Sequence, residues 1–346
     1  MLKRTSLFLL LVSGILTSGE FVFANSIGEV PPGHWRADFW RFSVHSEYFT
    51  SDANFSSSGT KTFNKLEPGN KIQVYEIRPK LRYNISERSS YFFGGGIVGV
   101  NSNTGAILRN NSGVSEAFAG FDYILSGKFS RLVGEVEASY APTPFSGSNG
   151  DALMSDGADF IRAQVFFFRP YSFGNPYLHI GVQYRDQGFS QLMLYGGGFE
   201  KPLGKSFLAG AGLEGELSFI SDSNNSIYRT ALTDQTMGGS HYFASYNPSF
   251  VDARFWGGYK PESGWQIKLG YAQSFLGTNA GYGQSVFLNF SINFDPRADD
   301  EGFAKFQQTK SSARRKGQKD LKEFEPDPER TTDELFKDEQ RFEPLN

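Results

Sequence analysis

The sequence predicts an all-β protein, an antiparallel transmembrane β-barrel of about twelve strands followed by a polar C-terminal tail. Three observations carry this. Segments of about ten residues between Trp35 and Phe294 alternate apolar and polar. The connections between them are mostly short at one end and long at the other. A secretory leader precedes them, and no later run of eighteen apolar residues offers a membrane helix.

The leader comes first in the chain. Lys3 and Arg4 precede the apolar stretch from Thr5 to Leu16, and Val22-Phe23-Ala24 carries a cleavage pattern, so residues 1–24 read as a signal peptide. Residues 25–34 form a short polar segment, and 35–294 form the barrel. Without cysteine the chain has no lipoprotein anchor and no disulfide. A formal net charge of −3 gives no reason to expect a nucleic-acid partner. The negative mean hydropathy is compatible with a barrel, because only alternate strand residues face lipid.

The strand from Lys71 to Tyr83 has the clearest phase. Tyr75, Ile77, Pro79, Leu81 and Tyr83 share one face, and Glu76, Arg78, Lys80 and Arg82 share the other. Pro79 removes one ladder donor, which suits a bulge or a local break in pairing. Leu132, Val136, Ala138 and Tyr140 alternate with Glu135 and Glu137. Ile161, Ala163 and Val165 alternate with Arg162, and Leu178, Ile180 and Val182 with His179. Leu213 and Leu217 stand opposite Glu214 and Glu216. Val251, Ala253 and Phe255 stand opposite Asp252 and Arg254, and Ile267 and Leu269 opposite Lys268. Tyr91–Val100 and Gln191–Glu200 are apolar or glycine on both faces. Their runs Gly94–Gly96 and Gly196–Gly198 read as places where the wall packs closely or bends.

Short connections are expected at 85–89, 126–129, 171–176, 201–205 and 260–264, and long ones at 51–69, 101–113, 143–157, 221–241 and 276–283. The stretch near 186–189 is short on the long-loop side. Tyr83, Tyr91, Tyr177, Tyr259 and Trp265 lie at strand ends beside short turns and form one interfacial girdle.

The last strand ends in an outward row of Val286, Leu288, Phe290, Ile292 and Phe294. This resembles the C-terminal strand of bacterial outer-membrane proteins. The resemblance implies an outer-membrane location, lipid as surroundings, and recognition of Phe294 by the barrel-assembly machinery. The chain as a whole resembles porin- or transporter-like outer-membrane barrels, with no narrower family indicated. Unlike that pattern, it continues past Phe294. Residues 295–346 carry a basic cluster (Arg314, Arg315, Lys316, Lys319, Lys322) and then an acidic stretch, a composition that cannot bury a core. An even strand count puts both termini in the periplasm, where the tail could touch cell wall or an envelope protein.

Inward faces would line the lumen with Arg78, Lys80, Arg82, Glu135, Glu137, Arg162, Glu214, Glu216, Asp252, Arg254 and Lys268. Two readings stay open. Charged rings could screen small hydrophilic solutes in passive transit, or the charges could pair and fill the interior of a structural or interaction barrel. The row Arg78, Lys80, Arg82 suits anion preference or neutralisation by carboxylates on neighbouring strands. Whether 51–69 and 221–241 fold inward stays open too. Catalysis is not expected. Outer-membrane phospholipase A has a similar barrel size and uses Ser, His and Asn on its outer wall, whereas His45 and His179 here fall on the inner face. Four scattered histidines without cysteine give no metal set, and no cofactor is expected.

Overall fold

The computed structural model describes residues 39–57, 61–126, 131–142, 151–223, 227–261 and 265–294. The leader 1–24, the segment 25–34 with His34, and the tail 295–346 with its basic cluster lie outside the described residues.

The described residues form thirteen strands: β1 (Phe39–Phe55), β2 (Phe63–Lys65), β3 (Asn70–Asn84), β4 (Ser89–Thr104), β5 (Leu108–Ser126), β6 (Arg131–Tyr140), β7 (Phe160–Phe168), β8 (Asn175–Arg185), β9 (Gln191–Leu203), β10 (Phe207–Ile220), β11 (Ser249–Tyr259), β12 (Trp265–Thr278) and β13 (Gly281–Phe294). A helix, α1 (Ile227–Thr236), lies between β10 and β11. Strands pair antiparallel with their sequence neighbours, except that β1 pairs with β3, and β13 returns to pair with β1. Twelve strands thus close a barrel, and β2 is a short arm on the Ala53–Phe55 end of β1. Closure leaves no sheet edge, so every wall strand has a hydrogen-bonding neighbour on both sides. At the seam Phe294 stands opposite Trp40.

The strand phase follows the period of two. On β3, Tyr75 and Ile77 are exposed while Ile72, Val74, Glu76, Arg78, Lys80 and Arg82 are buried. On β8, Leu178, Ile180, Val182 and Tyr184 are all more than half exposed. Water-soluble monomers do not expose apolar surface on this scale; hydrocarbon is the solvent that matches it. Rings mark both ends of the apolar wall. Trp40 lies 4.8 Å from Tyr83, and Tyr259 5.5 Å from Trp265. Nearer the other end Tyr48 lies 4.6 Å from Tyr75. On β1 and β3 nine residues separate the two levels inclusively, Trp40 to Tyr48 and Tyr75 to Tyr83, which is the length of a tilted membrane strand.

Pro79 sits where the β3–β4 register breaks: pairing runs to Ile77 opposite Ile97 and resumes at Lys80 opposite Gly94. The missing N–H therefore costs no ladder bond on that side.

Three expectations are corrected. Residues 101–113 are not a loop, because β4 and β5 run on to a three-residue turn at 105–107, closed by Thr104 N–H donating to Ile107 O. Residues 276–283 contain only a two-residue turn, with Asn279 at φ 49°. Tyr177 does not belong to the girdle. It points inward and is buried 6.4 Å from Trp256, because Leu178 and Ile180 take the outer phase of β8.

Candidate functional site

The interior of the barrel divides into a charged lattice and an apolar plug. The lattice is built from the inward residues of the wall. Arg78, Lys80, Arg82, Glu135, Glu137, Arg162, Glu214, Glu216, Asp252, Arg254 and Lys268 are all buried.

Arg78 Nε donates to Glu116 Oε1 at 2.7 Å, and its Nη2 donates to Glu137 Oε1 at 2.7 Å. Arg162 Nη2 reaches the same Glu137 oxygen at 2.9 Å, so one carboxylate of zero exposure joins two guanidinium groups. Arg82 pairs with Asp122 at 2.8 Å and with Glu135 at 3.7 Å. The Lys80 ammonium lies 5.0 Å from the centre of the Phe92 ring. The basic row is therefore neutralised by carboxylates of β5 and β6 and does not stand as a free positive stripe. Across the barrel Glu47 meets His45 at 3.1 Å and Arg254 at 3.5 Å, and Arg254 lies 3.9 Å from Asp252. Lys268 and Trp256 both donate to Glu200.

Glycine allows these pairs to form. Arg78 on β3 meets Glu116 on β5 over Gly96 of the intervening β4. A Cβ at Gly96 would lie 2.8 Å from Glu116 Cγ and 2.5 Å from Ser115 Oγ. The glycine runs thus act by letting side chains of flanking strands meet over a bare backbone.

Toward the end with the longer loops the inner face turns apolar. Phe49, Ile72, Val74, Val98 and Val100 form one cluster with Ala152, Leu153, Leu232, Met237, Tyr242, Phe243 and Ala244. The second group comes from the β6–β7 and β10–β11 connections, which therefore fold into the mouth. Phe49 and Tyr242 rings are 4.5 Å apart, and Met237 is fully buried. The helix stops at Thr236, and Gly238 and Gly239, at φ 64° and 77°, turn the chain back.

Polar clasps hold this plug. Arg229 Nε donates to Ala244 O at 2.6 Å and Nη1 to Asp222 at 2.6 Å, while its guanidinium lies 4.2 Å from the Phe189 ring and 4.3 Å from Tyr246. Asp156 accepts from Ala244 N–H and from Arg185 Nη1. Burial pushes the Asp156 carboxyl above its usual value, with Arg185 opposing. Asn54 Nδ2 donates to Gly239 O at 2.6 Å and its Oδ1 accepts from His241 N–H at 2.8 Å. Asn70 Nδ2 donates to Gly238 O at 3.1 Å. The described part of the 51–69 connection stays outside the mouth as the β2 arm, whereas Leu232, Met237 and Tyr242–Ala244 enter it.

Inside, the spaces are small. One cavity of about 30 Å³, room for a single water, lies between Glu76, Glu116, Asp156 and Tyr242. Another of about 10 Å³ lies beside Lys268 and Asn289. Several buried polar atoms, among them Gln183 Nε2, the Tyr177 hydroxyl and His179 Nδ1, have no hydrogen-bond partner among the described residues. That is the pattern of a polar interior with room for scattered water.

Among the described histidines, His45 and His179 are buried on the inner face and His241 lies in the plug. None stands on the outer wall.

Fold and interior together define the class: a closed, twelve-stranded, antiparallel barrel with an apolar outer wall, of the kind that crosses outer membranes. No protein-family model matches the chain, and no curated protein matches its sequence. Solved structures do match. An outer-membrane channel from Pseudomonas putida F1 is similar at 12% identity and a TM-score of 0.55, over 75% of this chain and 97% of that one. The translocator domain of the autotransporter NalP from Neisseria meningitidis is similar at 12% identity and 0.44, over 76% and 90%. The NanC porin is similar at 10% identity and 0.39, over 72% and 98%. These likenesses concern the fold.

Proposed function

We propose that the protein is a bacterial outer-membrane barrel of channel type, shut in the conformation described, which passes small hydrophilic solutes when the plug of the β6–β7 and β10–β11 connections leaves the mouth. The observation that supports this is the division of the interior. Beneath the plug the lumen is lined mainly by charged and polar side chains, with rings such as Phe92, Phe118, Trp256 and Phe287 set among them, and the plug is built from two folded connections clasped by side chains rather than from the wall. A barrel that needs only to be filled gains nothing from charge, since apolar residues of similar volume are often as stable as buried ion pairs. The mixed signs of Arg78, Arg82, Arg162, Glu135 and Glu137 favour neutral or zwitterionic solutes over a strong ion preference.

The second reading, a non-conducting barrel that anchors its tail, is favoured by one observation: the Arg78–Glu137–Arg162 lattice continues below the plug. Recognition of Phe294 by the assembly machinery, and contact of residues 295–346 with cell wall or an envelope protein, belong to either reading.

Liposome swelling separates them. Vesicles carrying the full chain with its plug shortened are expected to swell in glycine or a pentose, and vesicles with the intact plug to swell far more slowly. No swelling from a folded, plug-shortened barrel overturns the channel reading.

A further inference from the structure

A cleft of about 540 Å³ opens at the plugged end, outside the lumen. One wall is the β1–β2 arm, with Asn54, Asn64, Lys65 and Glu67. The other is the outer face of the plug, with Asp234, Gly238, Gly239 and His241, and Asn279 closes it from the β12–β13 turn. A smaller cavity of about 60 Å³ shares Asp234, His241 and Asn279 and extends the cleft toward Thr233 and Tyr246. The volume lies within the usual range for a small-molecule site.

The lining suits one chemistry. Carboxamides at Asn64 and Asn279 and the carboxylate of Asp234, which also attracts the His241 imidazole, line the cleft with donors and acceptors. Asn54 and Asn70 are already spent on the plug backbone, through Gly239 O, His241 N–H and Gly238 O, so they fix the cleft's shape. Phe55 and Leu66 supply an apolar floor. The charges, Lys65 against Glu67 and Asp234, nearly cancel. A dense set of neutral hydrogen-bonding groups beside a small apolar surface matches a molecule with hydroxyls on its rim and C–H groups on its face. A polyanion would meet two carboxylates and one ammonium.

We propose that this cleft is a binding site for a neutral saccharide of one or two hexose units, held by Asn64, Asp234 and Asn279. The site is distinct from the lumen and does not require the barrel to conduct. Two of its walls meet only while Gly238–His241 is docked, so the bound sugar also favours the plugged state.

Saturation-transfer NMR tests this on the full chain in a sugar-free detergent, with glucose, galactose, N-acetylglucosamine and maltose tried singly. Transfer to at least one sugar is expected. It should weaken by about fivefold or more in Asp234→Ala and in Asn64→Ala, the effect of losing a hydrogen bond or two. Both positions lie on the plugged end, so the heat-modifiable mobility of the folded barrel should be unchanged. No transfer to any of the four sugars, or equal transfer in both variants, overturns the proposal. Binding of inorganic phosphate that Lys65→Ala abolishes, with no sugar signal, overturns it in favour of an anion site.

Discussion

His179 Nε2 stands 2.7 Å from Glu214 Oε2, and the two meet over Gly196, which lies on the strand between them. A Cβ at Gly196 would lie 2.4 Å from both atoms. Gly196→Ala therefore makes the two side-chain ends swing apart and breaks their buried hydrogen bond, and is expected to destabilise the barrel by about 2 kcal/mol. Gly257 is the control, because its added Cβ meets nothing within 4 Å. Gly257→Ala should leave stability within about 1 kcal/mol of the wild type. Urea unfolding in lipid vesicles measures both, and equal effects would contradict the account.

Glu137 joins Arg78 and Arg162 from a position of no exposure. Glu137→Ala leaves two buried guanidinium groups without their shared carboxylate, and a loss of about 3–5 kcal/mol is expected. Lys268 pairs with a Glu200 side chain that is 21% exposed. Lys268→Ala should cost less, about 1 kcal/mol, since solvent screens that pair. The same unfolding series compares them, and a larger loss at Lys268 would reverse the ranking of the lattice.

Arg229 binds the plug to itself and to Asp222, Phe189 and Tyr246. Arg229→Ala removes these contacts without touching the wall. Cleavage by chymotrypsin at Tyr242–Phe243 is expected to accelerate by about tenfold or more, tracking the population of the released loop, while the barrel remains folded. An unchanged rate would mean that the apolar cluster alone holds the plug.

Burial holds His241 below its ordinary value, against the pull of Asp234. The docked loop thus binds this proton more weakly than the released loop. Its contribution to docking is complete above the ordinary histidine value of about 6.5 and fades as pH falls through the depressed one. Asp156, raised by burial, acts in the opposite sense: its share is complete below the ordinary aspartate value and fades as pH rises through the raised one. Chymotrypsin cleavage of the plug, referred to that of an unfolded substrate at each pH, should therefore increase more between pH 7 and pH 5.5 in the wild type than in His241→Gln. Identical profiles would remove His241 from the balance.

The strand phase was legible because each wall face meets a different solvent, lipid outside and a polar interior within. Leu178 and Ile180 already required Tyr177 to point inward, so its placement in the girdle followed position at a strand end where phase should have decided. The turns at 105–107 and 279–280 were hidden because Asn, Ser and Gly serve both as loop residues and as the wetted ends of long strands. The plug was hidden for a different reason. Helix α1 is ten residues long and carries no strong amphipathic pattern. Its signal lay on the wall, where Phe49, Val74 and Val100 stand opposite one another on the inner faces of adjacent strands. Inward apolar residues in a polar lumen need a partner other than lipid or water, and only a long connection could supply one. The charge pairing within the lumen could not be read, because partners such as Arg78 and Glu137 lie far apart in sequence and their meeting depends on which strands carry glycine.

If the connections docked in the mouth shut the barrel, single-channel recording in a planar bilayer will show it. The wild type is expected to be silent or to open rarely. A variant with both plug segments, Ala152–Met154 and Ile227–Ala244, replaced by short Gly-Ser linkers, folded by heat-modifiable mobility, is expected to conduct in steady, discrete steps. Steady conductance of the wild type, or silence of the folded plug-free barrel, would contradict the account.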